Sequence, residues 1–295
     1  MAPKVALITG GANGMGLAVA AALSTRPEWE IHILDINSDS GTKAAEGLAR
    51  TTFHYADVTK YQILSEAFQK CFQAHKKLDF VFANAGMIER FNFYDSHPFG
   101  SGEMVAPPPE PDLLSIDADL KGVILTTYLA QHYFRASPGN GVGASIVMTA
   151  SCGGLYPSFY SPLYSSAKFG VVGFMRSIAQ HFHAGGVRAN AICPGIVRTN
   201  LVDQKGWSAF PQHRFTEMES VVQVVLQLVG EGEGEPGLTD ARGTHVPTDR
   251  LFGQAVEISD TGVYFREQHS FCDDGMREVM AATVLENQVG AILNK

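Results

Sequence analysis

No apolar run in this 295-residue sequence approaches the ~18 residues that a membrane span requires, so no transmembrane segment is expected. Basic charge is scarce: 22 Lys and Arg stand against 30 Asp and Glu, the formal net charge is −8, and no basic cluster occurs. Neither nucleic acid nor an anionic membrane surface is therefore an expected partner. Cysteine is sparse as well. Cys71, Cys152, Cys193 and Cys272 lack the short paired spacings of zinc or redox sites, so neither metal nor disulfide is expected, and all four read as buried thiols of a reducing compartment. The first strand-like segment starts at Val5, which leaves no room for a signal peptide, and the expected location is cytoplasmic.

With 45% apolar and 18% charged residues, the composition is that of an ordinary globular protein. Short β-branched or apolar runs occur at VALIT (5–9), IHILD (31–35), FHYA (53–56), LDFVFA (78–83), ASIVMT (144–149), VRANAIC (187–193) and QAVEIS (254–259). Between them, helical periodicity covers 14–24, 40–50, 61–75, 111–136, 162–184 and 216–229. That alternation predicts an α/β fold: a Rossmann-type, doubly wound, seven-stranded parallel sheet with helices on both faces, in a single domain spanning 1–295. Two long irregular segments, 87–110 and 196–215, are expected beside the substrate, and a C-terminal extension covers 260–295. GEGEGEPG at 230–237 reads as a solvated connector.

The first strand runs into TGGANGMG (Thr9 to Gly16), which opens a helix. Gly10, Gly14 and Gly16 remove side chains where the backbone must turn, approach a pyrophosphate and pack on a strand, and the helix N-terminus offers free N–H groups. The next strand ends in Asp35, nineteen residues after Gly16, where a carboxylate suits an adenosine ribose diol. A 2′-phosphate would meet that negative charge with no Arg or Lys at Asn13 or Ile36 to offset it, so NAD is favoured over NADP. Tyr164 is followed at i+4 by Lys168 within a helical pattern, which puts both side chains on one face. An ammonium there favours the phenolate of a group whose ordinary pKa is about 10. Tyr156 and Tyr160 have no such partner, and Pro157 and Pro162 set them before the helix. Ser151 ends the fifth strand, where its hydroxyl is able to hydrogen-bond a substrate oxygen.

With the spacing TGxxxGxG, YxxxK and a strand-end serine, the sequence resembles the short-chain dehydrogenase/reductase family. The resemblance implies that Tyr164 is the general acid/base, Ser151 orients the substrate and Lys168 binds ribose and lowers the tyrosine pKa. It also implies cofactor contacts from Asn13, Met15, Ile36, Asp57 and Val58, from Asn84-Ala85-Gly86, and from Pro194, Gly195, Ile196 and Thr199. Asp119 stands where the family often has a catalytic asparagine. Its carboxylate either faces solvent or a backbone group, or stabilises the Lys168 ammonium and raises the tyrosine pKa. The layout after the sixth strand resembles the 15-hydroxyprostaglandin dehydrogenase-like branch, whose members use NAD to oxidise large apolar alcohols.

Met87, Phe91, Phe93, Phe99, Cys152, Tyr156, Phe159, Trp207 and Phe210 lie in the variable segments. They form either the wall of an apolar pocket or a satellite core. A pocket of that kind suits a lipid, steroid, terpenoid or polyketide-like secondary alcohol or ketone. The alternatives are an NADPH-dependent ketone reductase and a non-catalytic dinucleotide sensor. Helices 111–136 and 162–184 are apolar on more than one face, which predicts a homodimer or homotetramer through them. His181 and His183 form an isolated HxH read as surface or interface rather than metal ligands.

Overall fold

Alternation of apolar side chains along each strand decides which helices lie on which face of the sheet. In the computed structural model, residues 2–97, 107–202, 204–260 and 262–288 are described; Phe99 and the middle of the expected loop 87–110 lie outside them. The strands are β1 (Lys4–Thr9), β2 (Trp29–Asp35), β3 (Thr51–Tyr55), β4 (Phe80–Ala83), β5 (Ser145–Thr149), β6 (Arg188–Pro194), β7 (Leu238–Thr239), β8 (His245–Val246), β9 (Ala255–Ser259) and β10 (Gly262–Arg266). The helices are α1 (Gly14–Ser24), α2 (Ser38–Gly47), α3 (Tyr61–His75), α4 (Leu114–Ile116), α5 (Gly122–Ala136), α6 (Pro162–Ala184), α7 (Gln204–Ser208), α8 (Met218–Val229), α9 (Asp274–Ala281) and α10 (Leu285–Gln288).

The main sheet runs β10-β9-β6-β5-β4-β1-β2-β3. All seven strands from β9 to β3 pair in parallel, as expected of crossover connections. The expected count of seven is corrected to eight by β10, which joins the edge beside β9. Its run GVYFR follows β9 too closely to contain a crossover helix, and so carries no βαβ signal. Val5, Leu7 and Val81 project to one face, where they pack with Leu64 and Phe68 of α3, Phe134 of α5 and Met175 of α6. Ala6, Ile8, Phe80 and Phe82 project to the other, against Val19 and Leu23 of α1 and Val221 and Val225 of α8. Chain order reverses between β1 and β4, which creates a crevice at their C-terminal ends.

Three sequence expectations change. The helix expected over 111–136 begins at Leu114, whose N–H is capped by Asp112 Oδ1 at 2.9 Å, and widens into a π turn over Asp117–Lys121. The connector at 230–237 is not wholly solvated: Glu231 is nearly buried, pairing with Lys4 and with Arg26 at 2.7 Å, and a small antiparallel ribbon of β7 and β8 follows. Cys272 is exposed and Cys152 only partly covered, whereas Cys71 and Cys193 are buried; all four are free thiols. By compactness the chain divides into Met1–Phe265 and Arg266–Lys295. Within the second unit Asp273 caps α9 by accepting from Met276 N at 2.7 Å. Among the described residues no helix is long and apolar enough to cross a membrane.

A chain of imidazoles ties β2, β3 and α3 together. His32 Nδ1 lies 2.7 Å from His54 Nε2, and His32 Nε2 lies 2.9 Å from His75 Nε2. Burial, reinforced by His54 and His75, pushes the His32 pKa down to about 3 from 6.5. Burial and the Lys70 charge lower His54 too. Both nitrogens of His32 are engaged, so an added proton has no free place on it. Because the folded His32 binds its proton more weakly than the unfolded one, its contribution is complete above pH 6.5 and is lost as pH falls from there towards 3. Denaturant titrations should show about 2 kcal/mol less stability at pH 5 than at pH 7.5 from this residue alone. His32→Leu should flatten that dependence; an unchanged slope would refute the assignment.

Candidate active site

The crevice is closed at its base by three short polar side chains. Thr9 Oγ1, at the end of β1, accepts from the N–H groups of Asn84 at 3.0 Å and Ala85 at 3.1 Å, just past β4. Asn84 Nδ2 reaches back to the carbonyls of Thr9 at 3.2 Å and Gly10 at 3.3 Å, and its Oδ1 accepts from Thr149 Oγ1 of β5 at 3.1 Å. Thr9 opens the glycine motif and Thr149 carries no motif signal, yet together they hold the expected Asn84-Ala85-Gly86 segment in place.

Above this base lies the glycine turn. Gly14 has φ 56°, in the left-handed region, and a Cβ there would stand 3.2 Å from Thr199 Cγ2. A Cβ on Gly16 would stand 2.2 Å from the Gly10 carbonyl oxygen, so only glycine fits. Asn13, just before α1, makes no side-chain cap, and Met15 is partly covered. Asp35 folds toward the turn, its Oδ2 accepting from Ala12 N at 3.1 Å and its Oδ1 from Asn37 N at 3.0 Å. Ile36, beside it, is exposed. Asp57 Oδ1 accepts from the N–H and hydroxyl of Thr59, and Val58 lies where a Cβ on Gly122 would come within 2.8 Å. Pro194 ends β6, Gly195 N donates to Ile258 O at 2.8 Å, and Ile196 O accepts from Thr216 N at 2.8 Å. The structure thus gathers the glycine turn, Asp35, Asn84 and Thr199 around one crevice.

At the end of β5, Ser151 Oγ accepts from Gly153 N at 3.0 Å, and a Cβ on Gly153 would stand 3.5 Å from that oxygen and 3.3 Å from Tyr164 Cε1, which sets serine and phenol ring side by side. Lys168 Nζ donates to Thr149 O at 3.1 Å and lies 5.5 Å from the centre of the Tyr164 ring. Asp119, carried inward by the π turn, approaches Lys168 Nζ at 3.4 Å, with side-chain exposures of 0% and 4%. Of its two expected surroundings, solvent is excluded. Its Oδ1 accepts from Met87 N at 2.7 Å, and a Cβ on Gly86 would fall 2.9 Å from that oxygen. Burial raises the Tyr164 pKa above its ordinary value of 10, with Lys168 and Ser151 opposing and Asp119 adding to the rise. Burial also raises Asp119, against the pull of Lys168. For Lys168, burial works to lower the pKa, but Asp119 and Tyr164 outweigh it and the ammonium is favoured.

The residues named as substrate contacts divide. Cys152 Sγ lies 3.9 Å from Ser151 Oγ. Tyr156 points its hydroxyl at the buried Glu257, 3.1 Å away, and Phe159 is 83% exposed. Trp207 donates to Thr199 O at 3.2 Å and packs on Phe210 and Phe215, as a small satellite core. Glu89 has no motif to announce it, yet its Oε2 accepts from Tyr164 N at 2.9 Å at the start of α6. The rings of His181 and His183 part company: one meets Arg135, the other stacks on Phe252. Among the described residues no group of three or more His, Cys, Asp or Glu is arranged to hold a metal.

A family model described as short chain dehydrogenase matches residues 4–207, which contain this whole arrangement. The chain belongs to the short-chain dehydrogenase family. It is similar to short-chain dehydrogenase/reductase prx7 of Penicillium rubens, at 70% identity over 282 residues, 95% of this chain and 100% of that protein. It is 32% identical to human 15-hydroxyprostaglandin dehydrogenase [NAD(+)] over 273 residues, covering 90% of this chain and 94% of that protein. Levodione reductase shares the fold, with a TM-score of 0.70 at 23% identity over 88% of this chain and 97% of that one. As a short-chain dehydrogenase the protein is an oxidoreductase of a family that binds nicotinamide cofactors. The residues present fit such a group, since the uncapped α1 N-terminus behind Gly14 leaves N–H groups for a pyrophosphate.

Thr9→Val keeps the shape of β1 but leaves the partly buried N–H groups of Asn84 and Ala85 without their acceptor. It should cost about 2 kcal/mol in urea unfolding, two groups at the lower end of ~1–3 kcal/mol per unpaired group because both are only partly buried. A loss below about 0.5 kcal/mol would show that the hydroxyl is not what fixes the crevice.

Proposed function

We propose that the protein is an NAD-dependent alcohol dehydrogenase that interconverts a secondary hydroxyl and a ketone on a bulky apolar molecule. The observation that carries this reading is the grouping of Ser151, Tyr164 and Lys168 at the end of β5, beside the glycine turn. A nicotinamide, when bound, exchanges the hydride with the alcohol carbon. The chain's own residues move the proton. Ser151 holds the substrate oxygen, Tyr164 takes its proton in oxidation and returns it in reduction, and Lys168 supplies the positive charge that an ionised phenol requires. The same lysine and the α1 N-terminus would hold ribose and pyrophosphate.

NAD rather than NADP is supported by the Asp35 carboxylate, which two backbone N–H groups fix at the crevice. The name of the human relative specifies NAD(+) as well. An apolar substrate of lipid, steroid, terpenoid or polyketide type is supported by the aromatic side chains Phe93, Tyr156 and Phe159, which are left open to solvent. Two copies would associate through α5 and α6, where Ile124, Tyr128 and Phe169 present apolar surface.

At a hundredfold excess over its dissociation constant, NAD should stabilise the protein by about 2.7 kcal/mol, and NADP at equal concentration far less. Asp35→Ser should narrow that gap, and a parent that prefers NADP would overturn the cofactor assignment. A panel of apolar secondary alcohols, read as NADH formation, should reveal a substrate whose turnover Tyr164→Phe lowers by about 10²–10⁴-fold. Turnover that survives that change would end the mechanism. In sedimentation the parent should run as a dimer or tetramer, and Tyr128→Glu with Phe169→Glu should release single chains; a monomeric parent would exclude the α5–α6 contact.

A further inference from the structure

Asp119 brings a second ionisable oxygen pair into the space where Tyr164 and Lys168 meet. Its position depends on the π turn, in which Gly122 N–H bonds to Asp117 O five residues back, so that Asp119 is fully covered while Asp117 and Lys121 pair in solvent. Oδ1 is satisfied by Met87 N, and Oδ2 faces Lys168 Nζ at 3.4 Å. Among the described residues, the ammonium in contact with the Asp119 carboxylate is that of Lys168. Cys152 and Cys193 are kept as thiols by burial, Cys193 pushed up to about 12. The charge of Glu257 also raises both thiols, that of Arg176 opposes the rise at Cys193, and Glu89 binds the Tyr164 backbone.

The charges then count simply. With a neutral residue at 119, ionising Tyr164 would take the buried group from +1 to 0, which a dry site favours. With the Asp119 carboxylate in place it goes from 0 to −1, which a dry site resists. The geometry points to Asp119 as a positioning residue that takes up the charge of Lys168 and holds Tyr164 as the neutral phenol, so that at neutral pH the site is set to give a proton to a carbonyl. This rests on Tyr164 being the acid/base, and it adds a preferred protonation state to that role. In reduction the carbonyl carbon receives the hydride of the reduced nicotinamide, its oxygen receives the phenol proton, and the phenolate is reprotonated from solvent. Oxidation needs the phenolate first and is therefore pushed to alkaline pH.

The test is a spectrophotometric pH titration of the cofactor-free protein, taking parent minus Tyr164→Phe to isolate one phenol. Tyr164 should ionise above the ordinary tyrosine value of about 10. Asp119→Asn, which keeps the bond from Met87 N and removes the charge, should bring that ionisation down by about one pH unit or more. It should move the acid limb of the oxidation profile the same way. A parent phenol that titrates at or below the ordinary value would overturn the inference, as would an Asp119→Asn protein whose phenol stays put or rises. Should Asp119→Asn fail to fold, Asp119→Ser, which also removes the charge, takes its place and should lower the ionisation in the same direction; a phenol that stays put or rises in it would overturn the inference. Turnover that survives Tyr164→Phe would sink the proposed mechanism instead, a result the titration cannot imitate.

Discussion

Where β1, β4 and β5 stop, their last peptide groups have no ladder left to join, and a buried polar group left unpaired costs about 1–3 kcal/mol. The protein meets that constraint with short polar side chains. Thr9 accepts two N–H groups, Asn84 returns two hydrogen bonds to carbonyls, and Thr149 closes onto Asn84. Three strand ends are thereby fixed relative to one another, and the site is built on that level. The glycine turn starts at Gly10, whose carbonyl Asn84 holds, and Lys168 is anchored by the carbonyl of Thr149. Cofactor end and chemical end share one polar foundation.

On that foundation the electrostatics are set by how little water reaches it. Lys168 and Asp119 are both buried, and a pair of this kind repays its desolvation only when each partner has further hydrogen bonds. Here the ammonium has Thr149 O and the carboxylate has Met87 N. The same backbone that orders the strand ends therefore also makes the ion pair tolerable. Gly86 belongs to this logic as well: a side chain there would strike Asp119, so the chain passes bare between the carboxylate and the crevice.

Much of this was legible in sequence, for reasons that can be named. The bounds of α1, α3 and α6 follow from local signals, a glycine turn, sustained periodicity and Pro162 at the first helical position. Tyr164 separates from Tyr156 and Tyr160 because i+4 spacing is a local quantity. What escaped is non-local or geometrically subtle. Glu231 reads as solvated until Lys4, more than two hundred residues away, lies against it. Tyr156 finds Glu257 across 101 residues, and Glu89 finds Tyr164 N across 75. The π turn that swings Asp119 inward changes hydrogen-bond register without changing apolar spacing enough to be seen, so periodicity alone leaves that carboxylate free to face either way.

The two carboxylates that periodicity could not place act together on one short segment. Asp119 takes the N–H of Met87, while Glu89, two residues on, takes the N–H of Tyr164. Residues 86–89 are thus pinned between the π turn and the first turn of α6, and the segment that continues past Glu89 leaves from a fixed base. Beyond that base the character changes: Phe93 and Tyr94 meet chiefly each other, and Phe159 projects into solvent. On the function proposed, a hydrogen-bonded polar floor beside exposed aromatic side chains would separate two tasks by their physics. Proton transfer needs atoms fixed to within fractions of an ångström. Apolar recognition is non-directional and scales with buried area at about 25 cal/mol per Å², so for the apolar substrate proposed, area offered by exposed rings would matter more than their exact placement.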